Sequence, residues 1–86
     1  MYVILVYDVG QKRVHKVMKT CRSYLHHVQR SVFEGNITEG KLNQLKKELI
    51  GLIDVRADAV SIYKVGSMRY SSRESIGVTT KIETIQ

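Results

Sequence analysis

The first residues after Met1 form an apolar run with one acid near its end. The segment YVILVYDVG, residues 2–10, is typical of a strand over residues 2–9 that ends at Gly10. Alternate side chains of a strand point to opposite faces. One face therefore carries Val3, Leu5 and Tyr7, and the other carries Ile4, Val6 and Asp8. Because both faces are apolar, the pattern predicts that protein covers both sides of this strand.

Residues 11–27 show the spacing of an amphipathic helix. Apolar residues recur every three or four positions and form one stripe, which consists of Val14, Val17, Met18, Cys21, Tyr24, Leu25 and Val28. The opposite stripe contains Lys12, His15, Lys19, Arg22 and His26, with Arg13 and Lys16 on the flanks. The pattern therefore predicts a helix with one buried face and one basic face.

The next segment, residues 28–37, alternates like a strand and contains the turn or bulge signal Glu34-Gly35-Asn36. One bent strand and a tight hairpin are both compatible with this pattern. Thr38 is predicted as the N-cap of a second amphipathic helix, which extends to about residue 53.

The last part of the chain predicts further strands. Residues 58–65 read as a strand, residues 66–75 are polar without a clear pattern, and residues 76–83 are predicted as a last strand. The order of elements predicts an α+β fold, a ferredoxin-like βαββαβ sandwich with an extra C-terminal strand, in one domain over residues 1–86.

Two helices cover only one face of such a sheet, whereas the first strand is apolar on both. A second copy of the chain across a two-fold axis is the simplest cover, so we predict a homodimer across the sheet face. The core of each domain spans residues 1–65. The C-terminal segment, residues 66–86, either stays with its own chain or is exchanged or paired with the partner subunit.

Composition indicates a small globular protein of the cytoplasm. The chain has 86 residues, 43% of them hydrophobic, which suits one domain with a small core. The sequence shows no signal-peptide pattern and no apolar run long enough to span a bilayer, so no membrane partner is expected. The single cysteine, Cys21, lies in the apolar stripe, where a reduced core residue is expected.

The net charge of +6 is concentrated in one segment, since residues 11–30 contain six lysines and arginines and no acid. Such a block favours DNA or RNA as a partner, although a solvated helix surface is the alternative. The sequence has no alternating exposed aromatic residues that would stack on bases. We therefore expect contacts to the phosphate backbone, made by Lys12, Arg13, Lys16, Lys19 and Arg22.

Two motifs on these elements resemble one family. VYDVG ends the first strand, and VQRSVFEG follows the basic helix, ahead of a Leu/Lys helix and a strand SIYKV. Together, over about residues 2–65, they are similar to the CRISPR-associated endoribonucleases, the small dimeric partners of the spacer integrase. The resemblance implies a homodimer in which Asp8 of both subunits binds one Mg²⁺ ion. It also implies metal-dependent cleavage of single-stranded RNA or duplex DNA in some members, and a scaffold role beside the integrase that inserts spacer DNA.

Individual residues match the motifs of that family. Tyr7 and Asp8 match the first motif, Ser31 and Phe33 match the second, and Arg13 falls where members often keep a functional arginine. The resemblance thus implies that Asp8 is a metal ligand and catalytic residue. It implies that Arg13 is a catalytic residue that neutralises phosphate charge.

The chain also departs from the family pattern. His15 and His27 stand where certain members carry arginine, and Gly10-Gln11 stands where many members have a proline. A histidine can be neutral at pH 7, whereas an arginine cannot. These departures weaken the inference of nuclease activity more than the inference of the fold.

The residues by themselves leave simpler interpretations open. Asp8 can be only a strand-end carboxylate near a helix N-terminus, Phe33 a core residue rather than a base stacker, and Tyr7 a packing residue. Two functions are therefore predicted, a magnesium-dependent phosphodiesterase and a nucleic-acid scaffold, with the scaffold favoured as the biological role. A non-catalytic module that binds nucleic acid or a small regulatory molecule is the alternative.

Overall fold

The helices and strands follow one another in the order that the sequence predicts. The computed structural model describes residues 1–66 and 70–78. Its elements are β1 (Tyr2–Asp8), α1 (Gln11–Arg22), β2 (His26–Gln29), β3 (Val32–Asn36), α2 (Glu39–Leu52), β4 (Ala59–Val65) and β5 (Tyr70–Gly77). These strands form an antiparallel sheet in the order β2-β3-β1-β4-β5. The arrangement confirms the ferredoxin-like α+β class with an added C-terminal strand.

The two helices lie on the same face of the sheet. Between helices and sheet is the larger apolar cluster, to which β1 contributes Val3, Leu5 and Tyr7. The opposite face, which we call the second face, carries a smaller cluster of Ile4, Val6, Val32, Ala59 and Tyr63. β1 is therefore apolar on both sides, as predicted. Neither helix within the described ranges is long and apolar enough to cross a bilayer.

Helix α1 ends at Arg22, whereas the sequence predicts a helix over residues 11–27. The N–H groups of Ser23 and Leu25 donate hydrogen bonds of 3.0 Å and 2.8 Å to carbonyls of the last turn, and the chain then enters β2. Leu25 is only 7% exposed and packs into the larger cluster from this turn. Because Leu25 continues the apolar stripe beyond the helix, the periodicity placed the boundary too late.

The segment after α1 is a hairpin, which was one of the two predicted alternatives. Its turn lies at Arg30 and Ser31, between β2 and β3, and not at the Glu34-Gly35-Asn36 signal. Arg30 has a φ of 31°, the left-handed conformation that reverses the chain. Gly35 lies inside β3 and pairs with Val3 of β1, so the glycine signal marks a paired strand position.

The C-terminal strand begins earlier than the sequence predicts. Residues 70–75, predicted to be without regular structure, belong to β5, which pairs with β4 of the same chain. The alternation is hidden because Glu74 occupies a position cross-strand from the core residue Ile62. Its carboxylate pairs there with Lys46 at 2.5 Å and Lys64 at 2.8 Å. Residues 79–83 of the predicted last strand lie outside the described residues, and exchange of the segment between subunits stays a prediction.

Two single-residue predictions are confirmed. The Thr38 hydroxyl accepts a hydrogen bond of 3.2 Å from the Lys41 N–H, as an N-cap of α2 should. Cys21 is a free, fully buried thiol of the larger cluster, and burial raises its pKa to about 12. A thiol this hard to ionise is a core residue and not a nucleophile.

Candidate metal and nucleic-acid site

Asp8 is the last residue of β1 and its side chain is exposed. Its backbone pairs with Ala59 at the start of β4, and Ala59 pairs with Gly77 at the end of β5. Because side chains alternate along a strand, Asp8 belongs to the same face as Val6, the second face. The sheet thus fixes the backbone of an exposed carboxylate at one end of its central strand.

Asp58, directly before β4, is a second carboxylate at the same end of the sheet and is only 1% exposed. Its Oδ2 accepts hydrogen bonds from Arg13 Nε at 2.5 Å and from the Asp54 N–H at 2.9 Å. Its Oδ1 accepts from Arg13 Nη2 and from the Gly10 N–H, both at 2.9 Å. This single side chain therefore joins the β1–α1 turn, helix α1 and the loop after α2.

The bonds to Asp58 stabilise its charged form. The Arg13 guanidinium holds the pKa of Asp58 well below its ordinary value, and the N–H groups of Asp54 and Gly10 act in the same direction against the opposing effect of burial. The carboxylate also lies beside the N-terminus of α1, whose N-cap residue Gly10 has no side-chain oxygen of its own. Asp58, from a distant part of the chain, accepts from the N–H of this N-cap residue.

Arg13, predicted to neutralise phosphate charge, forms a bidentate ion pair with Asp58. About a third of its side chain, 32%, remains exposed. A guanidinium carries five N–H donors, and Asp58 uses two of them. Arg13 thus has a structural partner that the sequence did not suggest, and its contact with phosphate stays a prediction.

The predicted basic face forms on α1 except for His26, which lies in β2 because the helix ends at Arg22. Lys12, Lys16, Lys19 and Arg22 are exposed. Among the described residues, no acidic side chain forms an ion pair with any of the four. Since their charges are not neutralised by described acids, this face attracts anions.

The other motif residues lie in or next to the core. Phe33 is fully buried and Tyr7 is 4% exposed, with their ring centroids 6.1 Å apart. The His27 ring stacks on the ring of Phe33, and the two ring centroids are 4.4 Å apart. Burial raises the pKa of the Tyr7 phenol. Ser31 is in the β2–β3 turn, where its carbonyl accepts from the Tyr7 N–H at 3.1 Å. The structure thus places Phe33 in the core and not where a base could stack.

The described residues of one chain do not form a cluster of several metal-ligating side chains. Within residues 1–66 and 70–78, no group of three or more histidine, cysteine, aspartate or glutamate side chains is placed to hold an ion. Asp8 offers one exposed hard oxygen donor. Mg²⁺ is bound through one or two carboxylates with several waters retained. The exposed Asp8 carboxylate therefore fits Mg²⁺ as a ligand.

The sequence pattern indicates Asp58 only as the first residue of a strand, and its contacts were not predicted. Its partners Arg13 and Gly10 lie 45 and 48 residues away along the chain. The available signal was weak, namely an acid at the start of an apolar strand in a chain with few acids.

Comparisons with known proteins agree with this arrangement. A protein-family model described as CRISPR associated protein Cas2 matches residues 1–73. Relatives from several organisms carry the name CRISPR-associated endoribonuclease Cas2. The protein from Dictyoglomus turgidum is 46% identical over 78 residues, which cover 91% of this chain and 90% of the relative. The protein from Thermotoga maritima is 47% identical with the same coverage of both chains.

Solved structures show the same similarity. The crystal structure of Streptococcus pyogenes Cas2 is 34% identical, with a TM-score of 0.73, and the match covers 79% of this chain and 89% of that one. A hypothetical protein from Thermus thermophilus also gives a TM-score of 0.73, at 29% identity, and the match covers 85% and 96% of the two chains. From the family match and the identity of its relatives, the chain belongs to the Cas2 family of CRISPR-associated proteins.

Proposed function

We propose that this protein is a homodimeric nucleic-acid platform of CRISPR adaptation that also carries an endonuclease site built from Asp8 of both subunits. The observation that carries the proposal is the pairing of two features at one end of the molecule. An exposed carboxylate, Asp8, ends β1, and the helix that follows presents an acid-free basic face. Relatives named CRISPR-associated endoribonucleases support the catalytic part.

The second face supports the homodimer. Its cluster of Ile4, Val6, Val32, Ala59 and Tyr63 is apolar, and the buried residues of both described helices belong to the larger cluster on the other face. A two-fold axis would bring this cluster against its own copy, because a two-fold interface joins identical patches. An axis that passes near the Asp8 end of β1 would also bring together the two Asp8 side chains, which belong to this face.

Two carboxylates that meet on an axis repel, and one of them would have to take up a proton. A divalent cation between them removes this conflict. Asp8 of each subunit would hold Mg²⁺, which when bound supplies an activated water or stabilises charge on a phosphate. The chain's own part is to present the two oxygen donors from rigid strand ends.

The basic face supports binding to phosphates. Helix α1 starts at Gln11, three residues after Asp8, and carries Lys12, Lys16, Lys19 and Arg22 along its length. Since Phe33 and Tyr7 are buried, neither is available to stack on a base. Contacts to the sugar-phosphate backbone therefore provide the affinity for nucleic acid, and Arg13 is a further hydrogen-bond donor to phosphate. The platform would hold the bound duplex DNA for the integrase subunits.

Cleavage assays test the catalytic part. The purified protein should cut single-stranded RNA or duplex DNA with Mg²⁺ present and stop when a chelator is added. Asp8→Asn should abolish cutting. Glu39→Gln is the matched control, because Glu39 is an exposed acid, 68% exposed, on the separate helix α2. Cutting by Asp8→Asn at the parent rate would refute an Asp8 nuclease.

Binding assays test the platform. A plot of the logarithm of the DNA-binding constant against the logarithm of the salt concentration should have a slope of about −0.9 for each phosphate contacted. Reversing three charges of the basic face, Lys12, Lys19 and Arg22, to glutamate should weaken binding whatever the DNA sequence. Reversal of Lys41, Lys47 and Arg56 is the control, with the same residue types exposed elsewhere. Equal loss in both triple variants would mean that net charge, and not the α1 face, binds DNA.

Spacer integration separates the two roles. With the purified integrase of its own system, parent and Asp8→Asn proteins should support integration equally while only the parent cuts nucleic acid. Loss of integration in Asp8→Asn, with the dimer intact, would show that the site and the platform are not separate functions.

A further inference from the structure

Asp58 is linked to the turn that carries Asp8 by two consecutive connections. The Gly10 N–H donates to Asp58 Oδ1 at 2.9 Å. The next residue along, Ala59, pairs with Asp8 in the sheet. The chain is thus fixed on both sides of Val9, so the direction in which it leaves β1 at Asp8 depends on where Asp58 sits.

The position of Asp58 is itself fixed from three other directions. Arg13 of α1 holds both carboxylate oxygens, and the Asp54 N–H donates to Oδ2. On the far side, the Asp58 carbonyl accepts from the Val78 N–H at 2.9 Å. A Cβ added to Gly77 would lie only 2.1 Å from that carbonyl oxygen, so the end of β5 packs directly on Asp58.

We propose that Asp58 is a positioning residue for the Asp8 site, which holds the β1–α1 turn so that the Asp8 carboxylate is presented in one orientation. The inference rests on the proposed function of Asp8 as half of a shared metal site. Asp58 does not need to touch the ion. It acts through the Gly10 amide and Arg13, as residues behind metal ligands commonly do.

A purely structural carboxylate is available for comparison. Glu74 forms ion pairs with Lys46 and Lys64, which tie β5 to α2 and β4, and it is 33% exposed. Its partners do not include the β1–α1 turn. Asp58→Asn and Glu74→Gln each remove one negative charge and one set of ion pairs, but only the first alters a contact of the turn that carries Asp8.

The test is Mn²⁺ binding to the full-length protein, in which electron paramagnetic resonance measures the concentration of free Mn²⁺. Mg²⁺-dependent cleavage is measured on the same variants. Asp8→Asn should abolish specific binding. Asp58→Asn should weaken Mn²⁺ affinity by about 10- to 100-fold, the usual loss when a residue supporting a metal ligand is changed. Glu74→Gln should bind within about twofold of the parent, whatever its thermal stability, because a structural role alone does not change ion affinity.

The outcomes distinguish this inference from the function on which it rests. If Asp8→Asn loses Mn²⁺ but Asp58→Asn binds like the parent, the positioning role is overturned while the Asp8 site stands. If parent and Asp8→Asn bind equally, the shared metal site is wrong and Asp58 has no such site to position. Loss of affinity in Asp58→Asn with Glu74→Gln unchanged supports the positioning role.

A measurement on the unaltered protein covers the case in which Asp58→Asn does not fold. The Gly10 amide should exchange its hydrogen far more slowly than the amide of exposed Gly66, because the first is bonded to Asp58. Slow exchange at Gly10 supports the link between Asp58 and the turn. Exchange at Gly10 as fast as at Gly66 would show that the link does not hold in solution, which overturns the proposal.

Discussion

The two faces of one sheet differ in how completely a single chain covers them. On the helix side, Leu5, Phe33 and Ile62 are fully buried under α1 and α2. On the second face, Val6 and Ala59 are buried, but Ile4, Val32 and Tyr63 are only partly so. The same strands therefore supply a finished core on one side and a smaller apolar patch on the other. The first side is the core that stabilises the single chain, and the second is the face on which we propose that a partner subunit packs.

The end of the sheet that carries Asp8 shows the same contrast in its acids. Asp58 is 1% exposed and satisfied by Arg13, Gly10 and Asp54. Asp8, on the neighbouring strand, is exposed. The buried Asp58 carboxylate stabilises the fold through its hydrogen bonds, whereas the exposed position of Asp8 makes it accessible to an ion. Four predictions test these contrasts, from the largest expected effect to the smallest.

Truncation of the core on the helix side should have the largest effect. Phe33→Ala removes a fully buried ring that contacts Tyr7 and His27. We expect the free energy of unfolding to fall by about 3–5 kcal/mol, measured by urea denaturation. Phe33→Leu, which keeps most of the volume, should lose only about 1 kcal/mol. An alanine variant as stable as the parent would show that Phe33 is not a core residue.

Removal of the Asp58 charge should have the next largest effect, and it should depend on pH. Asp58→Asn should lower the free energy of unfolding at pH 7 by about 1.5–3 kcal/mol, the range for hydrogen bonds to a charged group. The expected loss of stability is smaller than for a fully buried ion pair, because the Arg13 side chain is partly exposed and can be hydrated. Denaturation curves at a series of pH values measure the difference.

The sign of the pH dependence follows from the lowered pKa of Asp58. As the pH falls below 3.8, the ordinary pKa of an aspartate, Asp58 takes up a proton in the unfolded chain but stays ionised in the folded protein until a lower pH. The stability from Asp58 is therefore complete above about pH 4 and is lost as the pH falls further. The gap between parent and Asp58→Asn should narrow below pH 4. A gap that stays constant down to pH 2 would contradict the lowered pKa.

The contrast between the faces also explains which features the sequence could predict. The absence of alternation in β1 was enough to predict two apolar faces, and the order of elements was enough for the fold. The end of α1 was misplaced because Leu25 continues the helical stripe from a turn. The start of β5 was missed because Glu74 places a charge where a core-facing residue is expected, and the lysines that satisfy it come from α2 and β4.

The candidate site divides in the same way. Asp8 and the lysines of α1 could be located from local sequence, because a strand end and a helix face are local features. The role of Asp58 could not, because its partners lie 45 and 48 residues away and meet only in the folded chain. Arg13 was singled out for phosphate binding, but its ion pair with Asp58 is a tertiary contact that no local pattern reveals.

A charge placed on the second face should break the proposed dimer. Ile4→Lys puts an ammonium group into the second-face cluster, and the two-fold axis would bring two of them into one interface. We expect the dimer dissociation constant to rise at least about tenfold, or 1.4 kcal/mol, measured by analytical ultracentrifugation. Ile50→Lys is the matched control, because Ile50 is 51% exposed on α2, in the layer that lies on the opposite side of the sheet. Equal dissociation constants for the two variants would place the interface elsewhere.

The smallest effect is expected from Ser61, a polar residue on the second face. It lies between Val60 and Ile62, which point into the helix-side core, so its hydroxyl points to the other face. It is 1% exposed, and its Oγ has no hydrogen-bond partner among the described residues.

A buried hydroxyl without a partner opposes folding, so Ser61→Ala should raise the free energy of unfolding by up to about 1 kcal/mol. Ser75→Ala, at the exposed cross-strand neighbour, should change it by less than about 0.5 kcal/mol. A loss of more than 1 kcal/mol in Ser61→Ala alone would mean that the hydroxyl has a hydrogen-bond partner in solution, which would contradict an unsatisfied Oγ.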